Sequence, residues 1–314
     1  IFYQSHSFGF AGYTVSGGSL LTGGFLNTGS INGSVLLASS TLSGGWANTG
    51  NFTGGLTVVQ SELNDGLTNS GSLQGSAGAL LSIFSSTVTG GITNSGQIGN
   101  NSLEGILIGG GQFSQSAYSG SKIAGSVINT GTVNAIYSLL VRASTIAGDI
   151  ENHGQLGSGG LGIGIIESEI SGRLLNTGFV SGGDPAAMVI KGSQILGGID
   201  NNQGTFNGQS FIRNSTVING ITNSGAFNSS LSITNSTMAG GVRTSGYVNG
   251  LNFGTYQSNF YQQAAGTFSG GVVNSGVIQG YAVALMFNGA TISGGLTNTG
   301  SIITQYTGAA NALK

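Results

Sequence analysis

The residues of this 314-residue chain that could move protons are Glu62, Asp65, Glu104, Asp149, Glu151, Glu167, Glu169, Asp184 and Asp200, with His6 and His153. The chain contains no cysteine, so thiolate nucleophiles, disulfides and thiolate metal sites are excluded. Glu167 and Glu169 alternate, which on a strand turns both to one outward face. Asp149, Glu151 and His153 stand one repeat earlier. Glycoside hydrolysis asks for two carboxylates about 5–9 Å apart, and neither an aromatic groove nor a cation cluster accompanies these. Asp149 and Arg173 are predicted to share a column in adjacent repeats and to pair there. The patch therefore reads as surface ion pairing, with polysaccharide cleavage around Glu167 and Glu169 as the alternative. His6 and His153 lack neighbouring ligands, Asp never recurs with a calcium-binding period, and neither a phosphate loop with Lys nor a GxSxG elbow is present. The expectation is a chain with no catalytic residue, no metal and no cofactor.

The elements that would have to position such residues come from a repeat. An Asn-x-Gly step recurs behind a Ser/Thr-x-apolar-x-Gly-Gly-apolar segment; clear copies are STLSGGWANTG (40–50), STVTGGITNSG (86–96) and ATISGGLTNTG (290–300). The anchors are Asn27, Asn48, Asn69, Asn94, Asn129, Asn152, Asn176, Asn201, Asn223, Thr244, Asn274 and Asn298, spaced 21, 21, 25, 35, 23, 24, 25, 22, 21, 30 and 24 residues apart. Apolar residues fill the columns six before the anchor (Leu42, Val88, Ile292), two before it (Trp46, Ile92, Leu296), four after it (Phe52, Ile98, Ile302) and mostly eleven before it (Leu37, Val58, Ile190). A unit of 21 residues cannot cover its own apolar side; stacked units bury it as ladders. With 61 glycines and no sustained 3.6-residue period, helix is disfavoured. The predicted fold is all-β: a parallel β-solenoid of about twelve coils, a basic repeat of 21 with loop insertions, spanning on the order of 58 Å at ~4.8 Å per coil. One domain is expected, with residues 1–17 as an N-terminal segment, 18–302 as coils and 303–314 as a C-terminal segment. The eleven anchor asparagines, Asn27 to Asn298, are predicted to form an internal amide ladder.

Segments such as GGITNSGQI (90–98) and ATISGGLTNTG resemble the repeat regions of bacterial autotransporter passengers and related secreted β-helical surface proteins. The resemblance covers roughly residues 18–302 and implies a right-handed β-helix exported to the cell surface; its motif carries no catalytic residue. No series of alternating ten-residue strands marks a membrane barrel, and the chain opens on Ile1, so a trimmed or processed chain is expected.

Charge narrows the function classes further. Seven basic and nine acidic residues give a net charge of −2, which argues against nucleic-acid binding, and no apolar run approaches a membrane span. So few charges provide little of the repulsion that keeps monomers apart. The expected function is a non-enzymatic structural one, as a self-associating subunit of an extracellular fibre or a surface stalk; adhesion to a glycan or receptor is the alternative. The residues proposed for self-association are Phe2, Tyr3, Phe8 and Phe10 near the start, and Phe253, Tyr256, Phe260 and Tyr261 in an aromatic insertion at 250–265. Lys191 and Arg213, with Arg142 two coils earlier, are predicted to share one column that an anionic glycan could meet.

Overall fold

The structure is a computed structural model that describes residues 2–4, 8–75, 78–110, 120–157, 159–254, 266–281 and 283–305. Every strand pairing is parallel, and the described residues contain no helix. Three sheets enclose one interior: a 13-stranded sheet of three-residue strands ending on the anchor, a 12-stranded sheet of two-residue strands, and a 21-stranded sheet built from the longer segments after the anchor. The chain is a parallel β-solenoid, as its repeat requires.

Local sequence explains the three faces. In strands such as Trp46–Asn48 and Ile92–Asn94 the first and third residues point inward and the middle one outward, the period-two alternation of a half-buried strand. All twelve anchors fall in the first sheet in one register, from Asn27 opposite Asn48 to Asn274 opposite Asn298. A thirteenth strand, Phe2–Gln4, precedes them, with Gln4 opposite Asn27 and Phe2 opposite Phe25. Phe8–Val15 likewise pairs with Ser30–Ala38. The stack therefore begins before residue 18, and Ser301–Thr304 carries it to 304.

The four apolar columns expected from the repeat are buried except in the terminal coils, and a fifth joins them: Val35, Leu56, Leu81, Ile106, Leu139, Ile163, Met188, Ser210, Leu231, Leu251 and Leu285 lie in one register. Ser210 is the odd member. It is fully buried, and its Oγ has no hydrogen-bond partner. An orphaned buried hydroxyl costs about 1–3 kcal/mol. Ser210→Ala should therefore raise the unfolding free energy by about 1 kcal/mol, read as a higher midpoint in urea; a lower midpoint would contradict this account of the column.

Loop insertions explain two departures from the expected columns. The insertions enter between the second long strand and the next corner, so the strand before them stays in step. Ile108, ahead of residues 111–119, occupies the column between Ile83 and Val141. Phe253 does the same between Ile233 and Phe287.

The corner between the 21-stranded and 12-stranded sheets uses a left-handed residue: Ser39, Gln60, Ser85, Ala143, Glu167, Asn214 and Asn235 have φ between 46° and 52°. Non-glycine residues seldom adopt this region. Here the residue that follows holds the corner. From Ser40 to Ser236 a serine stands there in every coil, and from Ser61 onward its Oγ accepts the backbone N–H of the serine one coil earlier, as in Ser40 to Ser61 (3.1 Å), Ser121 to Ser144 (2.8 Å) and Ser215 to Ser236 (3.2 Å). Most of these hydroxyls also donate to the carbonyl two residues back, Ser168 to Ile166 for one (2.7 Å). The ladder supplies partners to N–H groups that a sharp corner would otherwise bury unpaired.

Candidate functional site

The asparagine ladder is the most extended polar side-chain constellation among the described residues. Each buried Nδ2 donates to the Oδ1 one coil on: Asn27 to Asn48, Asn48 to Asn69 and Asn69 to Asn94 at 2.7 Å, Asn94 to Asn129 and Asn129 to Asn152 at 2.8 Å, Asn152 to Asn176 and Asn176 to Asn201 at 2.9 Å, and Asn201 to Asn223 at 2.7 Å. At the one non-asparagine anchor, Asn223 donates to Thr244 Oγ1 (3.0 Å), and beyond it Asn274 donates to Asn298 (2.6 Å). The second amide hydrogen reaches backbone carbonyls, such as Asn48 to Ser72 O (3.2 Å). The donors and acceptors are thus engaged within the stack, and the ladder's chemistry is structural.

The acidic residues are dispersed over different faces. Glu167 and Glu169 do not alternate on one strand. Glu167 sits at the left-handed corner with φ 52°, between the strands Leu161–Ile166 and Glu169–Ile170, and Glu169 belongs to the 12-stranded sheet. Glu151 lies in the strand Ile150–Asn152 of the first sheet with Asp149 and His153 on either side of it, and Glu104 is buried in the third, in register with Ala79 and Tyr137. The predicted pair forms, Arg173 Nε to Asp149 Oδ2 at 3.5 Å, and Arg173 Nη1 also meets Asp200 Oδ2 at 3.4 Å. Both contacts are partly exposed and contribute little to stability.

One arrangement here was not visible in the sequence. His153 Nε2 lies 2.8 Å from Glu151 Oε2, and its Nδ1 lies 2.7 Å from Thr177 Oγ1. A hydroxyl, an imidazole and a carboxylate in series resemble a nucleophile with its base and orienting acid. Acyl transfer also needs free donors for an oxyanion. The adjacent N–H groups of Thr177 and Gly178 both donate to Asn152 O, at 2.8 and 3.1 Å. The chain Glu151, His153, Thr177 is thus a hydrogen-bonded surface network that ties adjacent coils.

The remaining features lie on the outside of the 21-stranded sheet. A trough of about 600 Å³ is lined by Thr132, Asn134, Gln155, Ser181 and Asn207 above a glycine floor. Phe179, in register with Gln155, is 38 % exposed beside it. Further round the coil, Arg142, Ile166, Lys191 and Arg213 fall in one column, as the sequence predicted. The Arg213 guanidinium carbon lies 4.1 Å from the centroid of the Phe211 ring.

The aromatic residues proposed for self-association fare differently. Phe253 is fully buried, stacked on Phe287 at 5.3 Å and edge-on to Phe268 at 4.8 Å. It fills the core column and is unavailable for a lateral contact, because the insertion begins after it. Tyr256, Phe260 and Tyr261 lie outside the described residues. The backbones of Phe2, Tyr3, Phe8 and Phe10 belong to the first coil's strands; their side chains lie outside the described residues, as does His6. Among the described residues, no group of three or more His, Asp or Glu side chains could hold a metal ion, and no helix is long and apolar enough to cross a membrane.

The sequence signal for the serine ladder was present but hidden: serine stands eight residues before the anchor in every copy from Ser19 to Ser236, in a chain so rich in serine that the column does not stand out. The likeness to autotransporter repeats holds at the level of the β-solenoid itself. No known protein family matches the chain, and neither a curated protein nor a solved structure is similar to it.

Proposed function

We propose that this chain is a non-enzymatic structural rod that associates with copies of itself, as the subunit of an extracellular fibre or as a stalk at a bacterial surface. The observation that carries this reading is the near absence of charge on an extended β surface: seven basic and nine acidic side chains in 314 residues. Soluble monomers ordinarily present several times that density, and its repulsion keeps them apart. The repeat's likeness to autotransporter passengers supports a place at the cell surface.

Outward positions of the first sheet carry Thr68 between Ala47 and Thr93, and Thr222 between Asp200 and Arg243, along a regular parallel face, and the last described coil leaves Leu296 39 % and Ile303 44 % exposed. Electron microscopy and sedimentation of the purified chain across a concentration series should give lateral or end-to-end assemblies that persist in high salt, because few charges take part. Thr68→Lys with Thr222→Lys should disperse them without changing the melting temperature. Single rods at every concentration would overturn the proposal, as would assemblies indifferent to the two lysines and to Leu296→Lys with Ile303→Lys.

A further inference from the structure

We propose that the outer face carrying Lys191, Phe211 and Arg213, extended two coils back by Arg142, binds a linear polyuronate, a glycan with a carboxylate on its sugar rings. This goes beyond the structural role and is independent of whether the rods associate.

The first ground is the placement of scarce charge. Of seven basic residues in the chain, three occupy one column, in the order Arg142, Ile166, Lys191, Arg213. Lys191 and Arg213 are direct register partners, about 4.8 Å apart along the stack. Like charges directly opposite on neighbouring strands destabilise a sheet, and this column supplies no acid: Ile166 precedes Lys191 and Thr234 follows Arg213. Neither Lys191 nor Arg213 takes part in the ion pairs that join Glu151, Asp149 and Asp200 to His153 and Arg173 on another face. The carboxylate that directly follows this column is Glu167, at the corner after Ile166. Its backbone N–H donates to Lys191 O at 2.8 Å, and its side chain forms no ion pair within 4.0 Å.

The second ground is preorganisation. Arg213 is held against the Phe211 ring, which fixes the guanidinium and leaves its N–H edge for a planar acceptor; carboxylate is the natural match. Phe211 follows Val189 in register, so an apolar strip runs beside the cations and can take the C–H face of a sugar. Four residues before Phe211 in the same coil, Asn207 opens the amide- and hydroxyl-lined trough, whose neutral donors and acceptors suit sugar hydroxyls.

The third ground is period. Coils repeat at ~4.8 Å, and residues of an extended pyranose chain repeat at about the same interval. A polyuronate lying along the rod would therefore keep step with the coils and bring a carboxylate to the Lys191 and Arg213 pair. An anionic membrane is the poorer match, since lipid recognition by a basic patch takes about 4–8 clustered Lys or Arg.

Binding of the full chain to polygalacturonate at low salt, followed by calorimetry, tests this. The expected result is measurable affinity that falls as salt rises and that disappears for the fully methyl-esterified polymer. Lys191→Ala with Arg213→Ala should weaken binding roughly tenfold or more, since charge-assisted hydrogen bonds are lost, while the melting temperature does not fall, because the substitutions also remove a like-charge pair. Glu167→Gln should strengthen it, and Arg243→Ala, outside the column, should leave it unchanged. No binding to polygalacturonate, equal binding to its ester, tighter binding to phosphatidylserine vesicles, or indifference to the double substitution would each overturn the assignment.

Discussion

Replacing Asn152 by aspartate should destabilise the middle of the solenoid by about 3–5 kcal/mol at neutral pH, the range for an uncompensated charge in a buried network. Asn152 is fully buried. Its Oδ1 accepts from Asn129 at 2.8 Å, and its Nδ2 donates to Asn176 Oδ1 at 2.9 Å and to the carbonyls of Gly154 and Phe179 at 3.3 and 3.4 Å. A carboxylate could keep the first contact, but it would turn oxygen toward three acceptors. Only its protonated form could donate to Asn176, so the folded state would hold the introduced acid's pKa above its unfolded value of about 3.9. The sign follows directly. A raised folded pKa gives a contribution that is fully present below the unfolded pKa and is lost as pH rises through the folded one. The deficit of Asn152→Asp against the parent chain should therefore be smallest near pH 4 and grow toward pH 7. Urea unfolding at several pH values measures this, and a deficit independent of pH would contradict it. Thr244 indicates the milder case: an anchor hydroxyl accepts from Asn223 at 3.0 Å, so Asn152→Thr should cost appreciably less than Asn152→Asp.

Gly71→Ala should cost about 3 kcal/mol or more, in the class of overpacking against atoms that cannot move. The obstacle is space rather than backbone conformation. A Cβ at Gly71 would fall onto the carbonyl oxygen of Gly50 and come within 2.6 Å of Thr49 C and 2.8 Å of Gly50 N. The Gly71 N–H donates to Asn48 O at 3.1 Å, which fixes that approach. All three obstructing atoms are backbone. Gly17 provides the contrast: its φ is 72° and nothing lies within 4 Å of its Cβ position, so Gly17→Ala should cost only the left-handed penalty of about 1–2 kcal/mol. Because each coil touches mainly its neighbours, the damage from Gly71→Ala should appear first as local opening. Amide hydrogen exchange should accelerate at coils around Asn48 and Asn69 before the coils around Asn201 change. Equal loss from the two alanine substitutions would remove close backbone stacking as the reason for glycine at Gly71.

The amide ladder was legible before any coordinates because a parallel in-register stack converts spatial neighbours into residues one repeat apart. Asn27, Asn48 and Asn69 are 21 residues apart in sequence and 2.7 Å apart in the interior. The same logic placed Lys191 opposite Arg213 and Asp149 beside Arg173. It failed where the chain is longer than one coil. Counting back from Asn274 across the insertion assigned Phe253 to a loop, whereas it packs between Phe268 and Phe287. It failed also at corners: Glu167 and Glu169 look like alternating strand residues until the left-handed bend at Glu167 sends them to different faces.

The sequence alone therefore determined that the chain coils, which side chains line its interior, and that an asparagine spine runs through it, since stacking writes the coil length into the order of residues as a period. The tertiary structure alone decided where each insertion leaves the stack, how the serine hydroxyls hold the corners, and that Glu151, His153 and Thr177 meet. Those depend on where the backbone bends and on which side chains then reach one another, and neither bend nor reach has a period to read.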